Sequence, residues 1–516
     1  MNIDPRVQLR RTFGPFLGRF GRLNAVQEAA APLLLDGKSA VIAAPTASGK
    51  TEAAIVPLIE RWVPADCTSL KLLYVVPTRA LVNDLVRRLE GPLDLLRITL
   101  VAKTGDIPTF KAKEQPAVLI TTPESLDSLL CRRRGLFDQL ACIVLDEVHL
   151  IDGTARGDQL QVLLRRLPDV QRVVLSATVA DPQRLVERYA GHGAVIVHTG
   201  EARPIDLELV KDEKEVIDRL RAAGRIKALW FCNTRAAVEQ VSAGLATIWP
   251  PDRIVAHHGS LERSNRRESE AALRDWTWGI CVATMTLEVG VDIGDVDAVV
   301  LDGPPRTVSA FVQRVGRGSR REGRVTAIGL CREEDDEQAF ELLASLASEG
   351  RIEPIETLPD PSVAVQQILS LVYGAPKGVS RDGLGAIMEP VVDSVALSMV
   401  LTHLEEKGYI ELGRGLVRAT TKTMDMGEKG RIHSNIANVA EKVLKDARTG
   451  KAIGSSLMQV EIGQLVVIGG RTRKVVGVDA GSVSLAAAEG PAGKTSFAQR
   501  RRGGAFSWLL PDVLRT

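Results

Sequence analysis

The stretch Ala44-Pro45-Thr46-Ala47-Ser48-Gly49-Lys50-Thr51 decides the fold of the first part of this chain. It follows the apolar run Ala40-Val41-Ile42-Ala43 and precedes a helical pattern from Glu52 to Trp62. Strand, glycine turn and helix in this order are typical of a phosphate-binding loop, because N–H groups at a helix N-terminus attract anions. Lys50 then supplies a positive charge, and Thr51 supplies a hydroxyl for Mg²⁺. The alternative is an ordinary glycine turn, since Ala44 replaces the usual first glycine.

Composition sets broad limits on the class of protein. The 516 residues are enough for about three or four domains. The formal net charge of +2 neither demands nor excludes a nucleic-acid partner, and 4% aromatic residues argue against a broad base-stacking surface. The six cysteines form no Cys-x-x-Cys pair, which argues against a zinc site or a disulfide framework. With no signal pattern and no apolar run of membrane-spanning length, we expect a soluble cytoplasmic protein with no membrane partner.

The order of elements predicts an α/β fold with two tandem parallel-sheet domains. From Ala40 to about Val197, short apolar strands alternate with amphipathic helices, and the pattern restarts between Ala228 and Leu330. Continuous apolar runs such as Ile143-Val144-Leu145 suit strands that helices cover on both faces. The predicted boundaries are 1–203 for the first domain and 204–355 for the second.

The pattern of apolar and polar residues changes after Pro361. Three helical stretches and a short hairpin predict a winged-helix-like domain at 356–420, with a generic helical appendix as the alternative. One more apolar face predicts a helix, and from about Lys451 glycine-punctuated strands predict a small antiparallel barrel or sandwich. We assign both to a β-rich domain at 421–516. The apolar face of the predicted helix consists of Ile436, Val439, Ala440, Val443 and Leu444.

Two further strand ends carry candidate catalytic residues. Asp146-Glu147-Val148-His149 ends a buried strand about 95 residues after Lys50. There Asp146 can hold Mg²⁺ and Glu147 can orient or deprotonate a water, which suits phosphoryl transfer; the alternative is a helix cap. Ser176-Ala177-Thr178 ends the next strand and would indicate only a turn if it stood alone.

These three elements, in this order, resemble the superfamily 2 helicases. In the first domain Pro77-Thr78-Arg79-Ala80-Leu81, Thr104-Gly105 and Thr121-Thr122-Pro123-Glu124-Ser125 resemble motifs that contact nucleic acid in that family. In the second domain the resemblance continues through motifs IV, V and VI and ends near Arg320. The matching stretches there are Phe231-Cys232-Asn233-Thr234-Arg235, His257-His258-Gly259-Ser260-Leu261, Thr284 to Ile293, and Gln313 to Arg320.

The resemblance implies two RecA-like domains, ATP and Mg²⁺ as cofactors, and a role for each matching residue. Gln27, with Phe20, would read adenine, although Gln27 equally fits a helix cap. His149 and Gln313 would couple the Mg²⁺ site to Ser176 and Thr178. The implied catalytic residues are Lys50, Asp146, Glu147, Gln313, Arg317 and Arg320, the last two as arginine fingers. The implied nucleotide contacts are Gln27, Thr46, Ala47, Ser48, Gly49, Lys50, Thr51, Gly290 and Asp292. The implied Mg²⁺ ligands are Thr51 and Asp146. The implied nucleic-acid contacts are Thr78, Arg79, Thr104, Gly105, Thr122, Thr234, Arg235, Ser260 and Thr284.

Within this superfamily, the stretches 44–54 and 286–297 are similar to the Lhr-type (large helicase-related) pattern. The winged-helix-like segment, Ile432-His433-Ser434-Asn435-Ile436 and Gly469-Gly470-Arg471 agree with it. The resemblance implies 3′–5′ translocation on single-stranded DNA and duplex unwinding, including RNA–DNA hybrids. An RNA helicase is the nearest alternative, and an ATPase-inactive nucleic-acid-binding scaffold is another. Protein partners are not predicted, although a role within a multi-protein assembly is compatible with a helicase.

Two basic clusters allow two interpretations each. Arg500-Arg501-Arg502 with Phe506 and Trp508 indicates either phosphate contacts beside a stacked base or a solvated turn before core-packed aromatics. Arg132-Arg133-Arg134 indicates either a helix C-terminus or a phosphate contact.

Overall fold

The computed structural model describes residues 5–45, 48–105, 115–177, 180–199, 205–222, 224, 227–287, 296–318, 325–354, 357–436, 442–456, 460–468, 471–479, 481–488 and 504–515. The chain forms two compact units. The first comprises Met1–Gly200, Pro354–Asn438 and Arg501–Thr516, and the second comprises Glu201–Glu353 and Val439–Arg500. The four-domain division predicted from the sequence remains a prediction.

The first unit opens with a seven-stranded parallel sheet in the order β3-β4-β2-β5-β6-β1-β7. Its central strands are buried apolar runs, which is why the sequence located them correctly. Three helices precede β1 and were not predicted. The elements are α1 (Pro5–Gln8), α2 (Phe13–Leu17), α3 (Ala25–Leu35), β1 (Ala40–Ala43), α4 (Lys50–Trp62), β2 (Leu72–Val75), α5 (Arg79–Leu95), β3 (Leu100–Lys103), β4 (Val118–Thr121), α6 (Pro123–Arg132), β5 (Cys142–Leu145), α7 (Ala155–Arg165), β6 (Gln171–Ser176), α8 (Pro182–Leu185) and β7 (Val195–His198).

The second unit contains a six-stranded parallel sheet in the order β10-β11-β9-β12-β13-β8. Its edge strand β8 and helix α9 were missed, although the alternating apolar and charged residues of β8 are typical of a partly buried strand. The acidic run 333–337 does lead into a helix, as expected. The elements are β8 (Ile205–Val210), α9 (Glu213–Ala222), β9 (Lys227–Cys232), α10 (Arg235–Leu245), β10 (Ile254–His257), α11 (Arg263–Asp275), β11 (Gly279–Ala283), β12 (Ala298–Asp302), α12 (Val308–Val315), β13 (Val325–Leu330) and α13 (Asp336–Ser348).

The chain then returns to the first unit and builds the predicted winged-helix-like arrangement. Four helices are combined with a small antiparallel sheet in the order β14-β16-β15. Phe506, Leu509 and Leu510 from the C-terminal segment are buried in the same apolar core. The elements are α14 (Ser362–Gly374), β14 (Val379–Ser380), α15 (Arg381–Met388), α16 (Ser394–Glu406), β15 (Ile410–Leu412), β16 (Leu416–Ala419) and α17 (Thr421–Glu428).

A five-stranded mixed sheet, in the order β18-β17-β21-β20-β19, completes the second unit. Leu444, Ile453 and Val466 pack into one core with Trp249 of the parallel-sheet domain. The predicted helix through Val443 and Leu444 is wrong, because these residues lie in a strand that pairs with two neighbours. The elements are β17 (Lys442–Asp446), β18 (Ala452–Ser456), β19 (Leu465–Ile468), β20 (Arg471–Val478) and β21 (Ser482–Ala487).

Val443 and Leu444 show why the helical pattern misled. Val443 is 37% exposed and Leu444 is 2% exposed, which is the two-residue alternation of a strand with one covered face. Ile436 lies outside any helix and is exposed, and Val439 and Ala440 lie outside the described residues. In the part of the chain that the structure describes, no helix is both long and apolar enough to cross a bilayer.

Candidate functional site

The phosphate-binding loop lies where the sequence predicts it, between β1 and α4. Gly49 precedes the helix with φ +82°, a left-handed conformation that glycine adopts without steric cost. Lys50 is buried, and its ammonium donates hydrogen bonds to the carbonyls of Ala44 (2.7 Å) and Pro45 (3.4 Å). The lysine charge is therefore held directly at the loop. Thr46 and Ala47 lie outside the described residues.

Gln27 lies against this loop and caps a helix, so the helix-cap interpretation is confirmed, while the contact with adenine stays a prediction. Asn24 and Gln27 form a reciprocal capping box at the start of α3. The amide of Asn24 donates to the Ser48 carbonyl at 2.9 Å. A Cβ added to Gly49 would lie 2.7 Å from Asn24 Nδ2 and 2.9 Å from Gln27 Nε2. Sequence reasoning missed Asn24, which the Asn-x-x-Gln capping pattern signals. Phe20 is 57% exposed.

Asp146 and Glu147 follow β5, beside the loop that follows β1. Asp146 is buried and accepts hydrogen bonds from the Tyr74 hydroxyl (2.6 Å) and the Glu147 N–H (2.8 Å). Burial, and then the charge of Glu147, raise the pKa of Asp146 to about 7. The Tyr74 hydroxyl therefore orients one of the two predicted Mg²⁺ ligands. Sequence reasoning missed Tyr74, although a tyrosine in a buried strand needs a polar partner.

Glu147 has an unusual backbone conformation for a residue other than glycine. Its φ of +51° and ψ of +39° place it in the left-handed region, at a cost of about 1 kcal/mol or more. Strained conformations of this kind cluster at functional sites, because the surrounding structure must hold them.

His149 connects the Asp146-Glu147 pair to Ser176, as the sequence predicted. The Ala177 N–H donates to His149 Nδ1 at 3.2 Å, and the Ser176 hydroxyl lies 3.2 Å from the same nitrogen. Because a backbone N–H only donates, Nδ1 accepts, and the imidazole carries its proton on Nε2. Glu147 Oε2 lies 3.4 Å from Nδ1. Thr178 lies outside the described residues.

The predicted nucleic-acid residues of the first unit follow three neighbouring strands. Thr78 and Arg79 follow β2, Thr104 and Gly105 follow β3, and Thr122 follows β4. The predicted phosphate-binding loop follows β1 and the Asp146-Glu147 pair follows β5, both in the other half of the same sheet, where Ser176 ends β6. Both groups therefore lie at the carboxyl ends of one set of parallel strands, where open α/β sheets bind ligands.

Several of these residues also have local structural roles. The hydroxyls of Thr78, Thr122 and Thr234 each accept the N–H of the third residue along and cap a helix. Thr104 is buried, whereas Arg79 and Gly105 are exposed. A Cβ on Gly105 would lie 2.7 Å from Arg79 Nη2, so glycine allows the guanidinium to approach.

In the second unit, the predicted contacts follow β9, β10 and β11. Arg235 Nη1 donates to Ser260 Oγ at 2.5 Å, and Thr284 Oγ1 lies 3.5 Å from Thr286 Oγ1. His257 Nδ1 lies 2.8 Å from the same Thr286 hydroxyl. The structure thus brings Thr234, Arg235, Ser260 and Thr284 to one edge of the second sheet.

The described part of the basic motif at α12 is withdrawn from solvent. Gln313, Arg314 and Arg317 are buried. Arg314 donates to Asn233 Oδ1 at 2.8 Å, and its guanidinium lies 5.6 Å from the centroid of the Phe231 ring. Arg314 therefore joins two motifs within the second unit. Gly290, Asp292 and Arg320 lie outside the described residues, as do Arg500, Arg501 and Arg502.

Family comparisons agree with this geometry. The profile of the DEAD/DEAH box helicase family matches residues 24–185, and that of the helicase conserved C-terminal domain matches residues 212–322. The chain is 30% identical to the ATP-dependent helicase Lhr-Core of Methanothermobacter thermautotrophicus over 393 residues, which is 66% of this chain and 45% of that protein. It is 27% identical to the Lhr helicase/uracil glycosylase of Escherichia coli, over 63% of this chain and 27% of that protein.

Solved structures show the same fold. The Mycobacterium smegmatis helicase Lhr bound to ssDNA and AMP-PNP aligns with a TM-score of 0.72 and 26% identity, over 84% of this chain and 63% of that one. The DUF1998 helicase MrfA bound to DNA aligns with a TM-score of 0.74 and 21% identity, over 93% of this chain and 73% of that one, and it supports the fold alone. The chain spans about half the length of the curated relatives it matches.

Proposed function

This chain belongs to the Lhr-like group of superfamily 2 helicases, and we propose that it couples ATP hydrolysis to 3′–5′ movement along single-stranded DNA and to duplex unwinding. The observation that carries the proposal lies within the first unit. The proposed nucleotide residues follow β1 and β5, and the proposed strand contacts follow β2, β3 and β4 of the same sheet. A conformational change at the nucleotide half of this edge can therefore reach the strand-binding half through the sheet that both halves share.

The residues present fit ATP and Mg²⁺. The loop N–H groups and Lys50 would bind phosphates, and Gln27 would contact the base. Thr51 and Asp146 would hold Mg²⁺, which neutralises charge on the transferred phosphoryl group. The fit rests on the buried Asp146 carboxylate, whose raised pKa reflects burial and the adjacent Glu147 charge that a cation would relieve. Glu147 would orient the attacking water, and His149 would carry the state of this site to Ser176.

The second unit completes the proposed assignment. By family resemblance, Gln313, Arg317 and Arg320 act in catalysis, and Gly290 and Asp292 contact the nucleotide. A guanidinium is always charged and planar, which suits the charge that develops on the γ-phosphoryl group. The proposed strand contacts are Thr78, Arg79, Thr104, Gly105 and Thr122 in the first unit and Thr234, Arg235, Ser260 and Thr284 in the second. Hydroxyls and arginines of this kind contact phosphates and position a strand without reading its sequence.

Strand-displacement assays test the substrate and the direction together. Duplexes of DNA, RNA and RNA–DNA hybrid, each with a 3′ or a 5′ single-stranded tail, are incubated with the protein and ATP. We expect displacement only when the tail is 3′ and only when the tail is DNA. Equal or better activity on RNA tails would favour an RNA helicase, and an ATPase rate that no strand stimulates would favour a binding scaffold.

Lys50→Ala tests the nucleotide site. We expect it to reduce ATP turnover by at least about 100-fold, because it removes the cation that stabilises the phosphoryl group, while single-strand binding largely persists. Lys38→Ala is the matched control, since Lys38 precedes β1 in the same domain and its side chain is 52% exposed. Retained turnover in the Lys50 variant would refute the assignment of the loop.

A further inference from the structure

The loop 258–262, which follows β10, carries Ser260, one of the proposed nucleic-acid contacts of the second unit. Ser260 is buried, and its hydroxyl accepts a hydrogen bond from Arg235 Nη1 at 2.5 Å. Its N–H donates to His258 Nδ1 at 3.3 Å, and His258 Nε2 lies 2.7 Å from Glu239 Oε1. Because Nδ1 accepts, Nε2 carries the proton and donates to the carboxylate. Two hydrogen bonds therefore link the loop to α10, the helix that carries Arg235 and Glu239.

The edge strand β18 of the five-stranded sheet lies directly against this loop. Gly454 forms an isolated antiparallel bridge with Leu261. The Glu262 N–H and the Asn265 side-chain amide both donate to the Ile453 carbonyl, at 2.7 and 2.9 Å. Backbone pairing of this kind sets the position of a loop more firmly than apolar packing alone, because hydrogen bonds depend on distance and direction.

An irregularity in β18 makes this contact possible. Leu444 of β17 pairs with Gly454, and the next residue, Lys445, pairs with Ala452, so the register shifts at Ile453. An extra residue in one strand is left out of the ladder and bends the strand locally. The Ile453 carbonyl is thereby directed to the loop 258–262 and to the start of α11.

The close approach of β18 requires the absence of a side chain at Gly454. A Cβ on this residue would lie 2.4 Å from the Ser260 carbonyl oxygen and 3.3 Å from Leu261 Cα. Both are backbone atoms, so neither can move aside by a side-chain rotation. Gly454 does not have a left-handed φ. The requirement for glycine is therefore one of space, and any side chain here would push the loop away.

The five-stranded sheet also packs against α10, so it contacts both elements that carry the proposed nucleic-acid contacts. Val466 of β19 and Val475 of β20 share one buried core with Val238 of α10. Leu261 and Ile453 belong to the same core. The positions of the helix and of the loop therefore both depend on this sheet.

We propose that the five-stranded sheet positions the nucleic-acid contacts of the second unit, with Ile453 and Gly454 as positioning residues for Ser260 and, through it, for Arg235. The inference rests on the proposed function and extends it, because it assigns a role to a sheet that lies outside the helicase motifs. A misplaced contact weakens binding of the nucleic acid and not the chemical step. A disturbance of β18 should therefore change the affinity for an oligonucleotide and leave the rate of ATP turnover at saturation unchanged.

Gly454→Ala tests the proposal, because it adds only the Cβ for which the loop leaves no room. Anisotropy of a fluorescein-labelled oligo(dT) 20-mer gives Kd for the full chain, and ATP turnover at increasing oligonucleotide concentration gives kcat and the half-saturating concentration. We expect Kd and the half-saturating concentration to rise at least about 10-fold, with kcat and the turnover without oligonucleotide unchanged. Gly477→Ala in β20 is the matched control and should match the wild type, since a Cβ there would lie 3.5 Å from Ser484 Cβ, an ordinary contact.

A second variant adds no bulk, so it decides the question even where Gly454→Ala does not fold. Asn265→Ala removes one donor to the Ile453 carbonyl and should raise Kd about 2–5-fold, the effect of one hydrogen bond. Its control is Ser264→Ala, an exposed polar residue on the same helix, which should bind like the wild type.

Three outcomes would contradict these expectations in different ways. Wild-type Kd and half-saturation in Gly454→Ala and Asn265→Ala, together with weakened binding by Arg235→Gln, would overturn this inference and leave the proposed function intact. Equal losses of affinity, kcat and turnover without oligonucleotide would also overturn it, because the sheet would then only support the fold. A wild type that binds neither DNA nor RNA would refute the proposed function, and this inference with it.

Discussion

Replacing His433 with glutamine should remove a pH-dependent part of the stability of the first unit. The His433 imidazole is buried beside Asp127, which also pairs with Arg166 at 2.5 Å. Burial lowers the pKa of His433, but its interactions with Asp127 and Cys131 together raise it by more, and the pKa reaches about 9. Burial likewise raises the pKa of Asp127, and Arg166 and His433 more than offset it, so the pKa lies below its usual value. Both partners are therefore charged at neutral pH.

The size of the pKa shift of His433 sets the size of its contribution to the free energy of unfolding. A pKa that rises from about 6.5 in the unfolded chain to about 9 in the folded one corresponds to about 3 kcal/mol. Because the folded pKa is the higher one, this stabilisation is complete below about pH 6.5. It amounts to about 2.5 kcal/mol at pH 7 and is lost as the pH rises through 9. For a unit of this size it corresponds to a Tm change of about 5 °C.

Calorimetric unfolding of the full chain between pH 6.5 and 10 measures this contribution as the Tm difference between the wild type and His433→Gln. Glutamine can still donate to Asp127 but does not titrate. We expect a gap of about 5 °C at pH 7 that narrows as the pH approaches 10. Cys131 and Tyr373 also contact the imidazole, and both remain in the variant, so the comparison removes most of their effect. A gap that stays constant from pH 7 to 10 would refute a charged His433.

Two further predictions concern Gly49 in the first unit and the hydrogen-bonded pair of Arg314 and Asn233 in the second. Gly49→Ala should weaken binding of a non-hydrolysable ATP analogue at least about 10-fold, because Gly49 has a left-handed φ and an added Cβ would clash with Asn24. Calorimetric titration measures this affinity. The control is Gly91→Ala in α5, where an added Cβ meets nothing within 4 Å, and this variant should bind the analogue like the wild type. Arg314→Met and Asn233→Ala should show a coupling of about 1 kcal/mol in a double-mutant cycle of unfolding, and additive effects would contradict the hydrogen bond between them.

The sequence could predict the parallel sheets, and the places of several candidate site residues relative to their strands, because these depend on local patterns. Continuous apolar runs gave the strands, and polar residues directly after them gave Lys50, Asp146 and Glu147. Tyr74 was missed because its role depends on Asp146, 72 residues away in the chain. A strand pattern does not indicate which hydroxyl will meet which carboxylate.

The errors lie where long-range pairing decides the local structure. The apolar spacing around Val443 and Leu444 suits a helix, but pairing of β17 with β18 and β21 makes a strand. The burial of the two C-terminal aromatic residues also depends on long-range contacts. Phe506 is buried in the winged-helix core, whereas Trp508 is 58% exposed and contacts Tyr409 edge-on. Only the residues that pack against Phe506 and Trp508 distinguish these two aromatic side chains, and those residues lie far away in the sequence.

Asp127, Cys131 and His433 place three possible metal-ligand atoms within 4.8 Å of one another, yet the surrounding charges do not suit a metal ion. Arg166 Nη1 lies 2.5 Å from Asp127 Oδ1, and its Nη2 lies 3.4 Å from Cys131 Sγ. A metal ion would need to displace this guanidinium and to bind an imidazole whose raised pKa keeps it protonated. The cluster is better explained as a charge network that joins α6 to the winged-helix-bearing part of the chain.

Helix α6 links this network to the proposed strand contacts of the first unit. Thr122 caps its N-terminus, Asp127 anchors its middle, and Arg132 ends it. The anchor holds His433, whereas Arg79 is an exposed side chain at the carboxyl edge of the same sheet. Stability and strand binding should therefore separate: His433→Gln should lower the Tm in a pH-dependent way, whereas Arg79→Gln should reduce the salt dependence of oligonucleotide binding and leave the Tm unchanged. If both variants altered both properties equally, Arg79 would be a structural support and not a strand contact.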